Sequence, residues 1–334
     1  MTRQMKLQFQ VMAREVRVHL HLLHLEISCW KDIEQNWIMV MWRVYHFRVS
    51  DKMGLSLSSF HFGASFLTRL VSFLTLTCNQ VSLRCYQSWS AYHPLVDLQA
   101  ELEASISALV QLNQRSHERS LQAYLLVVRR LRNLTSEDET SLGFKELLKA
   151  VEPTSNAFHT VNMMQLELFV LFQDWESALP CLAEAPDTRN RYLAMHASAR
   201  GMFLEALVYL KTSSHASSWL ARRKKKMKAI KTLRKLNGLV EQGNDDVRHY
   251  MHILMAECYV LEKNVSAAQN NFKAAISIAE LHGFLHDKAL AHELACAWYK
   301  ALGKDDWANF HFESSQKLYT EWGATSKVET ERKL

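Results

Sequence analysis

The chain has 334 residues, of which 48% are hydrophobic, so it can bury a core large enough for two or three domain-sized units. It contains nine glycines and four prolines, far fewer than usual, which argues against folds rich in tight hairpins and phosphate-binding loops. The six cysteines form no CxxC pair, which argues against a zinc knuckle or a disulfide framework. A mostly helical protein with reduced thiols is predicted.

The sequence carries no sign of a targeting or membrane segment. No continuous apolar stretch of the signal-peptide type follows the first charged residues. No run of about 18 apolar residues, the length needed for a membrane span, occurs anywhere. We therefore expect a soluble, cytoplasmic protein.

The first 93 residues differ from the rest of the chain. Residues that favour strands and residues that favour helices are mixed there, and no clear turn residues join the segments whose pattern alternates locally. Four of the nine tryptophans lie in this part. We interpret residues 1–93 as a poorly specified N-terminal segment, made either of buried helices or of sequence from an uncertain start of the gene model.

Residues 94–157 form a segment of long helices. Leucine and other aliphatic residues recur every three or four positions, as on one face of a helix, and a polar stretch interrupts them. Two long helices, or one interrupted helix, fit this pattern. Ser136 is predicted to cap a following short helix, which Pro153 closes. The apolar residues are Leu98, Leu102, Ile106, Leu109 and Leu112, and then Leu121, Leu125, Val128 and Leu131.

Residues 158–334 follow a tetratricopeptide-like pattern, in which small and aromatic residues keep fixed positions in successive helix pairs. Tyr299 follows Tyr259 by 40 residues, and the other pattern residues keep the same offset. Small residues let two helices approach closely, and aromatic rings fill the gap between successive pairs. We therefore predict an all-α fold of stacked helix pairs, an α-solenoid. The predicted packing residues are Ala256, Tyr259, Ala268 and Phe272, and then Tyr299, Ala308 and Phe312.

Weaker copies of the pattern precede these two. One has Asp174 and Trp175 at its turn, and another has Gly201 in the predicted turn between two helices. The distance along the chain from Ala178 to Ala206 is less than half of that from Ala206 to Ala268, so the array is degenerate. An irregular helical bundle is the alternative fold. The residues that keep the spacing are Phe169, Ala178, Leu182 and Ala185, and then Ala194, Ala197, Ala206 and Leu210.

A basic segment is the strongest charge feature. Residues 216–240 hold nine lysines and arginines and no acidic residue, and without them the net charge of +6 would become −3. One interpretation is a solvated helix face. The other is a nuclear-import signal or a patch for nucleic acid or an acidic partner. Apolar residues, Trp219, Met227, Ile230 and Leu233, mark a further side of this helix. The basic residues are Arg222, Arg223, Lys224, Lys225, Lys226, Lys228, Lys231, Arg234 and Lys235.

The sequence offers no convincing catalytic or metal site. His282 and His286 straddle a predicted helix junction, and the stretch from His292 to Cys296 matches HExxH only until its last residue. Helix capping and interhelical hydrogen bonds are the preferred roles of these histidines. Cys258 and Cys296 are expected in the core. Because nucleotide-binding and kinase motifs are also absent, we expect no catalytic residue, no cofactor and no metal.

The C-terminal part of the chain carries a family resemblance, which is good from about residue 244 to 328 and diffuse back to about residue 95. The matching residues are Gly283, Phe284, His286, Asp287, Ala289, Leu290, Ala291, Glu293, Leu294, Gly303, Ala308, Tyr319, Trp322, Gly323, Ala324 and Lys327. With these residues, the chain resembles the helical repeat region that follows the AAA-like ATPase module of multidomain serine/threonine kinases and hybrid sensor histidine kinases of cyanobacteria and microalgae.

The resemblance implies a non-enzymatic helical-repeat scaffold for protein–protein interaction in signal transduction. The kinase and ATPase motifs of that family are missing here, so no catalytic residue is carried over. The chain looks like a detached or truncated repeat region, or a fragmentary gene model. Its expected partner is a protein segment or signalling domain bound to the concave face. The alternative function is a basic helical module that binds nucleic acid or an anionic surface through residues 222–235.

Overall fold

The computed structural model describes Trp89 and residues 93–153, 155–184 and 196–332. The predicted N-terminal segment 1–93 therefore lies almost wholly outside the described residues. The predicted packing positions Ala185 and Ala194 also lie outside them.

Contacts divide the chain into two units. The first is Met1–Ser82 with Ala104–Gln114, and the second is Leu83–Glu103 with Arg115–Leu334. In the first unit the described residues are 104–114, which form the end of one helix and its turn. The architecture below is that of the second unit.

The described residues form twelve α-helices and one 3-10 turn (Asp245–Val247), and no β-strand lies among them. The predicted all-α class is confirmed. Every helix in this part of the chain is too short or too polar to span a lipid bilayer. The helices are α1 (Leu95–Gln111), α2 (Arg115–Leu131), α3 (Glu137–Ala150), α4 (Asn156–Leu171), α5 (Trp175–Glu184), α6 (His196–Ser213), α7 (Trp219–Glu241), α8 (Arg248–Leu261), α9 (Val265–Leu281), α10 (Leu285–Ala301), α11 (Asp305–Trp322) and α12 (Thr325–Glu331).

Helices α7 to α11 all end in the same turn, and these turns follow one another at a constant step along the chain. One residue of each turn adopts the left-handed conformation. The N–H of the next residue donates to a carbonyl five residues earlier, as from Phe284 to Ala279 over 2.8 Å. A helix with its turn therefore takes one step and a helix pair takes two, which explains the constant offset from Tyr259 to Tyr299. The left-handed residues are Gly243, Lys263, Gly283, Gly303 and Gly323.

The same turn closes α1, α2 and α4. The left-handed residues there are Asn113, Asn133 and Gln173, which are separated by the same step or by twice that step. The sequence indicated the turn at Asp174, but because no glycine marks these three turns it did not show that they share one conformation. Asparagine tolerates the left-handed conformation better than most residues, since its side chain can bond locally.

The segment 94–157 forms two separate long helices, followed by the predicted short one. Ser136 caps α3, and its hydroxyl accepts a hydrogen bond from the Glu139 N–H over 3.2 Å. The Glu139 carboxylate accepts from the Ser136 N–H over 2.7 Å, which completes a capping box. Pro153 lies just beyond the end of α3, as predicted.

The helices of the second unit pack in consecutive pairs. Helix α6 packs against α7, α8 against α9, and α10 against α11, while α6 with α8 and α9 with α10 join the pairs. Small and aliphatic residues of α6, α8 and α10 form the centre of the core. The turn predicted at Gly201 is wrong, because Gly201 lies inside α6. Its surroundings leave space for a Cβ atom, so this glycine marks neither a turn nor a close approach.

An early helix of the second unit contacts the last one. Helix α2 contacts both α4 and α12. Arg130 of α2 donates to the Ser326 hydroxyl of α12, and Asn133 Nδ2 donates to Glu329 Oε2 over 3.1 Å. As a consequence, early and late helices of the unit meet, whereas the ends of an extended solenoid stay apart because each repeat contacts only its neighbours.

Candidate functional site

The nine basic residues all lie on α7, but they do not converge. Some contact the rest of the chain: Lys225 Nζ donates to the Thr212 carbonyl over 3.1 Å, and Lys226 Nζ pairs with Glu262 over 2.9 Å. Lys228 Nζ donates to the Tyr209 hydroxyl over 3.2 Å. Arg222 donates to the Ser214 carbonyl, and the Arg223 guanidinium lies over the Trp219 ring. The other four cations are exposed and have no hydrogen-bond or ion-pair partner among the described residues. They are Lys224, Lys231, Arg234 and Lys235.

The apolar residues predicted for α7 divide between core and solvent: Leu233 packs against the core, whereas two others are exposed. Trp219 is 65% exposed and Met227 is 51% exposed. The buried residues of α7 are Ala229, Thr232 and Leu236, which face α6 and α8. The helix therefore shows solvent a face that mixes cations with large apolar side chains.

The predicted repeat-packing residues lie at the helix contacts. Ala256, Ala268 and Ala308 are buried, and so are Phe272 and Tyr299. Tyr259 and Phe312 are only partly buried. The Phe272 ring of α9 contacts the Trp298 ring of α10, with centroids 5.6 Å apart. An aromatic residue thus fills the gap between two successive helix pairs.

A first buried polar cluster, the Arg200 cluster, consists of Glu167, Arg200, His249, His286 and Asp287. Arg200 binds Glu167 through two nitrogens, with Nε 2.9 Å from Oε2, and binds Asp287 Oδ1 through a third. His249 Nε2 lies 3.0 Å from Asp287 Oδ2, and His286 Nε2 lies 3.6 Å from it. The cluster ties together α4, α6, α8 and α10.

Electrostatics keep Arg200 and Asp287 ionised within this cluster. Burial alone would raise the pKa of the Asp287 carboxyl, but the Arg200 guanidinium and the two histidines outweigh burial and hold this pKa well below its ordinary value. Burial would lower the pKa of Arg200, but the charges of Asp287 and Glu167 outweigh burial and raise this pKa above its ordinary value. Burial lowers the pKa of His286, so this ring is neutral at physiological pH. The charges hold one another and are not free for an external group.

A second buried cluster, the Glu293 cluster, consists of Gln173, Glu293, Tyr319, Lys327 and Glu331. The Tyr319 hydroxyl donates to Glu293 Oε2 over 2.8 Å, and Gln173 and Lys327 donate to Glu293 Oε1. Lys327 Nζ also lies 2.9 Å from Glu331 Oε1. Burial and the charge of Glu293 raise the pKa of Glu331 to about 8. The cluster joins the turn after α4 to α10, α11 and α12.

Glu167 and Arg200 were missed by sequence reasoning. Glu167 is the only charged residue of α4, on a helix that is otherwise rich in leucine, valine and methionine. Charged residues are almost never fully buried unless they are paired. The single charge on an apolar helix was therefore a signal for a buried ion pair, but its partner, 33 residues away, was not readable from spacing.

The histidines on α10 make interhelical contacts. His292 Nδ1 lies 2.9 Å from His311 Nδ1 of α11, so one ring donates and the other accepts. Burial lowers the pKa of each ring to about 4. Glu293, the next residue, points instead to Lys327 and Tyr319. The HExxH-like stretch therefore splits between two different sets of partners.

The nucleophile and metal candidates of the sequence lie in unfavourable surroundings. Burial raises the pKa of the Cys258 thiol to about 11 and also raises that of Cys296, so few thiolates form at neutral pH. Across residues 93–153, 155–184 and 196–332, no three His, Cys, Asp or Glu side chains converge as metal ligands.

Helix α11 exposes two large aromatic side chains to solvent. Trp307 is 47% exposed and Phe310 is 53% exposed, and their ring centroids lie 6.1 Å apart. Exposed acidic residues flank them, Asp306 before and Glu313 after. We call these four residues the α11 ridge.

The preceding helix pair serves as an internal reference for this ridge. At the equivalent positions of α9, one helix pair earlier, lie Ala267 and Asn270, in place of Trp307 and Phe310. Asn270 is exposed and Ala267 is partly buried. Helix pairs of this geometry therefore fold without aromatic residues on the ridge, and its aromatic character is not a requirement of packing.

The residues that carry the family resemblance lie largely in the interior. His286 and Asp287 belong to the Arg200 cluster, and Glu293, Tyr319 and Lys327 belong to the Glu293 cluster. The resemblance thus concerns the residues that tie helices together. Comparisons with known protein families, with curated proteins and with solved structures find no match to this chain.

Proposed function

We propose that this chain is a non-enzymatic scaffold of tetratricopeptide-like helix pairs, which presents a fixed outer surface to a protein partner in signal transduction. The regular turns support the repeat character. So does a repeated hydrogen bond: His252 Nδ1 lies 2.9 Å from Asn271 Oδ1, and one helix pair later His292 makes the equivalent bond to His311. Equivalent side chains meet in both pairs because the two pairs share one geometry.

The two buried clusters support a rigid scaffold. Removing one partner of a buried ion pair leaves the other charge uncompensated, which costs about 3–5 kcal/mol. The helices joined by such a cluster therefore resist separation. The inner side of α10 is filled by these clusters: Asp287 and Glu293 are both buried. The proposal therefore places the partner on the outer surface rather than on a concave face.

The exposure of two aromatic residues on the α11 ridge is the main support for this function. Two large aromatic side chains lie half exposed at positions where the preceding pair has alanine and asparagine. Exposed aromatic residues rimmed by polar groups are typical of protein–protein contact sites. We infer that Trp307 and Phe310 are anchors for a partner.

The role in signalling follows from the resemblance to the repeat regions of signalling kinases and ATPases. Those regions connect catalytic modules without catalysing a reaction themselves, and this chain has the matching interior residues. We infer that this chain binds a protein segment or a signalling domain.

Site-specific photo-crosslinking in the native cells tests the proposal. A photoreactive amino acid at position 310 is expected to give discrete protein adducts, while the same group at the exposed position 142 of α3 gives none. Discrete adducts at 142 equal to those at 310, or none at 310, would contradict a partner surface on the α11 ridge.

A second candidate function is the binding of nucleic acid or an anionic surface by α7. The four exposed cations without a described partner favour it. Replacing Lys224, Lys231 and Lys235 with glutamine should then weaken binding to a double-stranded oligonucleotide and flatten its salt dependence. Unchanged binding and an unchanged salt slope would reject this candidate.

A further inference from the structure

We propose that the exposed face of α7 docks on the α11 ridge of a second copy of this chain. The inference rests on the proposed function, because it names the partner of the α11 ridge. Within the chain, α7 packs against α6 and α8, whereas α11 packs against α10 and α12. Among the helices that the structure describes, none covers the outward face of α7 or of α11, so both faces are open to a second copy.

The exposed face of α7 is both apolar and basic. Leu220 is 70% exposed, and Met227 lies two helical turns after it on the same side. The side chains of Arg223, Lys231 and Arg234 are exposed around them. Spacings of three and four residues place all five on one face of the helix, opposite the buried Ala229, Thr232 and Leu236.

The α11 ridge complements the exposed face of α7 both in apolar area and in charge. Phe310 and Trp307 offer apolar area, and Asp306 and Glu313 offer negative charge on either side of them. Asp306 and Glu313 have no ion pair with any described residue. They lie seven residues apart, so both fall on the same side of α11.

Charge complementarity selects α7 as the occupant. A basic side chain next to an acidic ridge gains from opposite charge, and a guanidinium gains further above an aromatic ring. The chain already shows this preference, since the Arg223 guanidinium lies 5.3 Å from the Trp219 ring centroid. The exposed cations on α7 of one copy thus attract the exposed acids on the ridge of another, while Leu220 and Met227 cover Phe310 and Trp307.

The contact joins two different surfaces. If a two-fold axis relates the copies, each α7 meets the other copy's α11 and the result is a dimer with two identical contacts. If no such axis forms, the contact repeats in one direction and gives longer assemblies. In both cases the copies associate more at higher protein concentration. Salt weakens the association, because the charged residues lie at the rim of the contact.

Sedimentation velocity on the full chain, with charge-reversed variants, tests the proposal. One variant carries Arg223→Glu, Lys231→Glu and Arg234→Glu, and the other carries Asp306→Lys and Glu313→Lys. The wild type is expected to associate, and each variant alone is expected to be monomeric. An equimolar mixture of the two variants is expected to associate again, because the reversed α7 of one variant then meets the reversed ridge of the other. All substituted residues are exposed, and circular dichroism confirms that each variant folds.

The helix pair before α10–α11 supplies a matched control. Lys273 lies one helix pair before Glu313, at the equivalent exposed position of α9. Reversing its charge with Lys273→Glu should leave the association unchanged. A loss of association equal to that of Asp306→Lys with Glu313→Lys would point to a general charge effect and would overturn the assignment of the ridge.

Several results overturn the inference. They are a wild type that stays monomeric up to its solubility limit, a mixture that fails to associate, and association that nuclease treatment removes, which would assign α7 to nucleic acid. A monomeric wild type that still gives adducts with another protein at position 310 overturns self-docking but leaves the proposed scaffold function intact. Absence of every adduct at position 310 in cells counts against the scaffold function itself.

Discussion

His292 and His311 face each other across helices α10 and α11, with their Nδ1 atoms 2.9 Å apart. The same contact occurs one helix pair earlier, between His252 and Asn271, also over 2.9 Å. The offset from His252 to His292 equals that from Tyr259 to Tyr299, so the two bonds span equivalent positions of equivalent helices. The repeat in this chain thus extends to individual side-chain hydrogen bonds, and one of its copies contains two titratable rings.

The histidine pair is expected to make folding stability depend on pH. Burial lowers the pKa of both rings from 6.5 to about 4, so the unfolded state binds more protons than the folded state between these values. Stability is therefore present above pH 6.5 and is lost as the pH falls towards 4, at about 1.4 kcal/mol per pKa unit for each independent group. Urea denaturation across this range measures the loss.

The variant His311→Asn isolates this effect. It rebuilds the His252–Asn271 arrangement in the second pair, so the hydrogen bond is kept while one titrating ring is removed. The loss of stability between pH 6.5 and 4 should become clearly smaller than in the wild type. An unchanged pH profile would mean that the acid sensitivity arises elsewhere in the protein.

Asp287→Asn is expected to destabilise the fold by about 3–5 kcal/mol, because it leaves the buried Arg200 guanidinium partly unpaired. The exposed pair between Arg129 and Glu103, 2.8 Å apart, supplies the control. Glu103→Gln should cost less than about 1 kcal/mol, since water screens exposed ion pairs. Equilibrium unfolding of both variants in urea measures the difference. Equal costs would show that the Arg200 cluster contributes no more than a surface ion pair.

Glu331→Gln is expected to stabilise the protein at alkaline pH. Burial and the nearby Glu293 charge raise the pKa of Glu331 from 4.5 to about 8, so the folded state keeps a proton that the unfolded state releases. The stability due to this proton is fully present below pH 4.5 and is lost as the pH rises through 8. The midpoint temperature of unfolding should therefore fall less steeply between pH 4.5 and pH 8 in the variant. A parallel fall in both proteins would exclude this role.

Two turn residues at equivalent positions of successive helix pairs allow a matched test of backbone strain. Lys263 adopts a φ of 59° and Gly303 a φ of 68°. Left-handed backbone costs an ordinary residue about 1–2 kcal/mol, whereas glycine adopts it freely. Lys263→Gly should thus raise the free energy of unfolding by up to about 1 kcal/mol, and Gly303→Ala should lower it by about 1 kcal/mol.

The residues around Gly303 leave space for the alanine side chain. A Cβ atom at position 303 would meet no other atom within 4 Å, so the expected cost comes from φ alone. Chemical denaturation measures both changes. If Gly303→Ala were neutral, the turn would have to shift to another conformation, which nuclear magnetic resonance chemical shifts of the turn residues would report.

Several features of the fold were predictable from local sequence. Scarce glycine and proline indicated helices, Ser136 with its following acidic residues indicated a cap, and the spacing from Tyr259 to Tyr299 indicated equivalent helix pairs. Each of these signals lies within one helix or recurs at a fixed distance along the chain. Such signals depend on helix geometry and turn chemistry, which neighbouring residues determine by themselves.

Other features were decided by tertiary packing. Gly201 looked like a turn but lies inside α6, and Trp219, which marks an apolar side of α7 in the sequence, faces solvent. A glycine is tolerated within a helix that packs on several sides, since burial of its neighbours outweighs its low helix propensity. Which side of α7 is buried depends on where α6 and α8 lie, and this is not written in the sequence of α7.

The sequence by itself determined that this protein is built of helices, that two of its helix pairs are equivalent, and that its positive charge is concentrated in one helix. The tertiary structure decided that Arg200 meets Glu167 and Asp287, which lie 33 and 87 residues away. It also decided that Trp307 and Phe310 remain exposed. The physical reason is that helix formation and turns depend on residues close in sequence, whereas buried ion pairs and exposed surfaces depend on which helices come together.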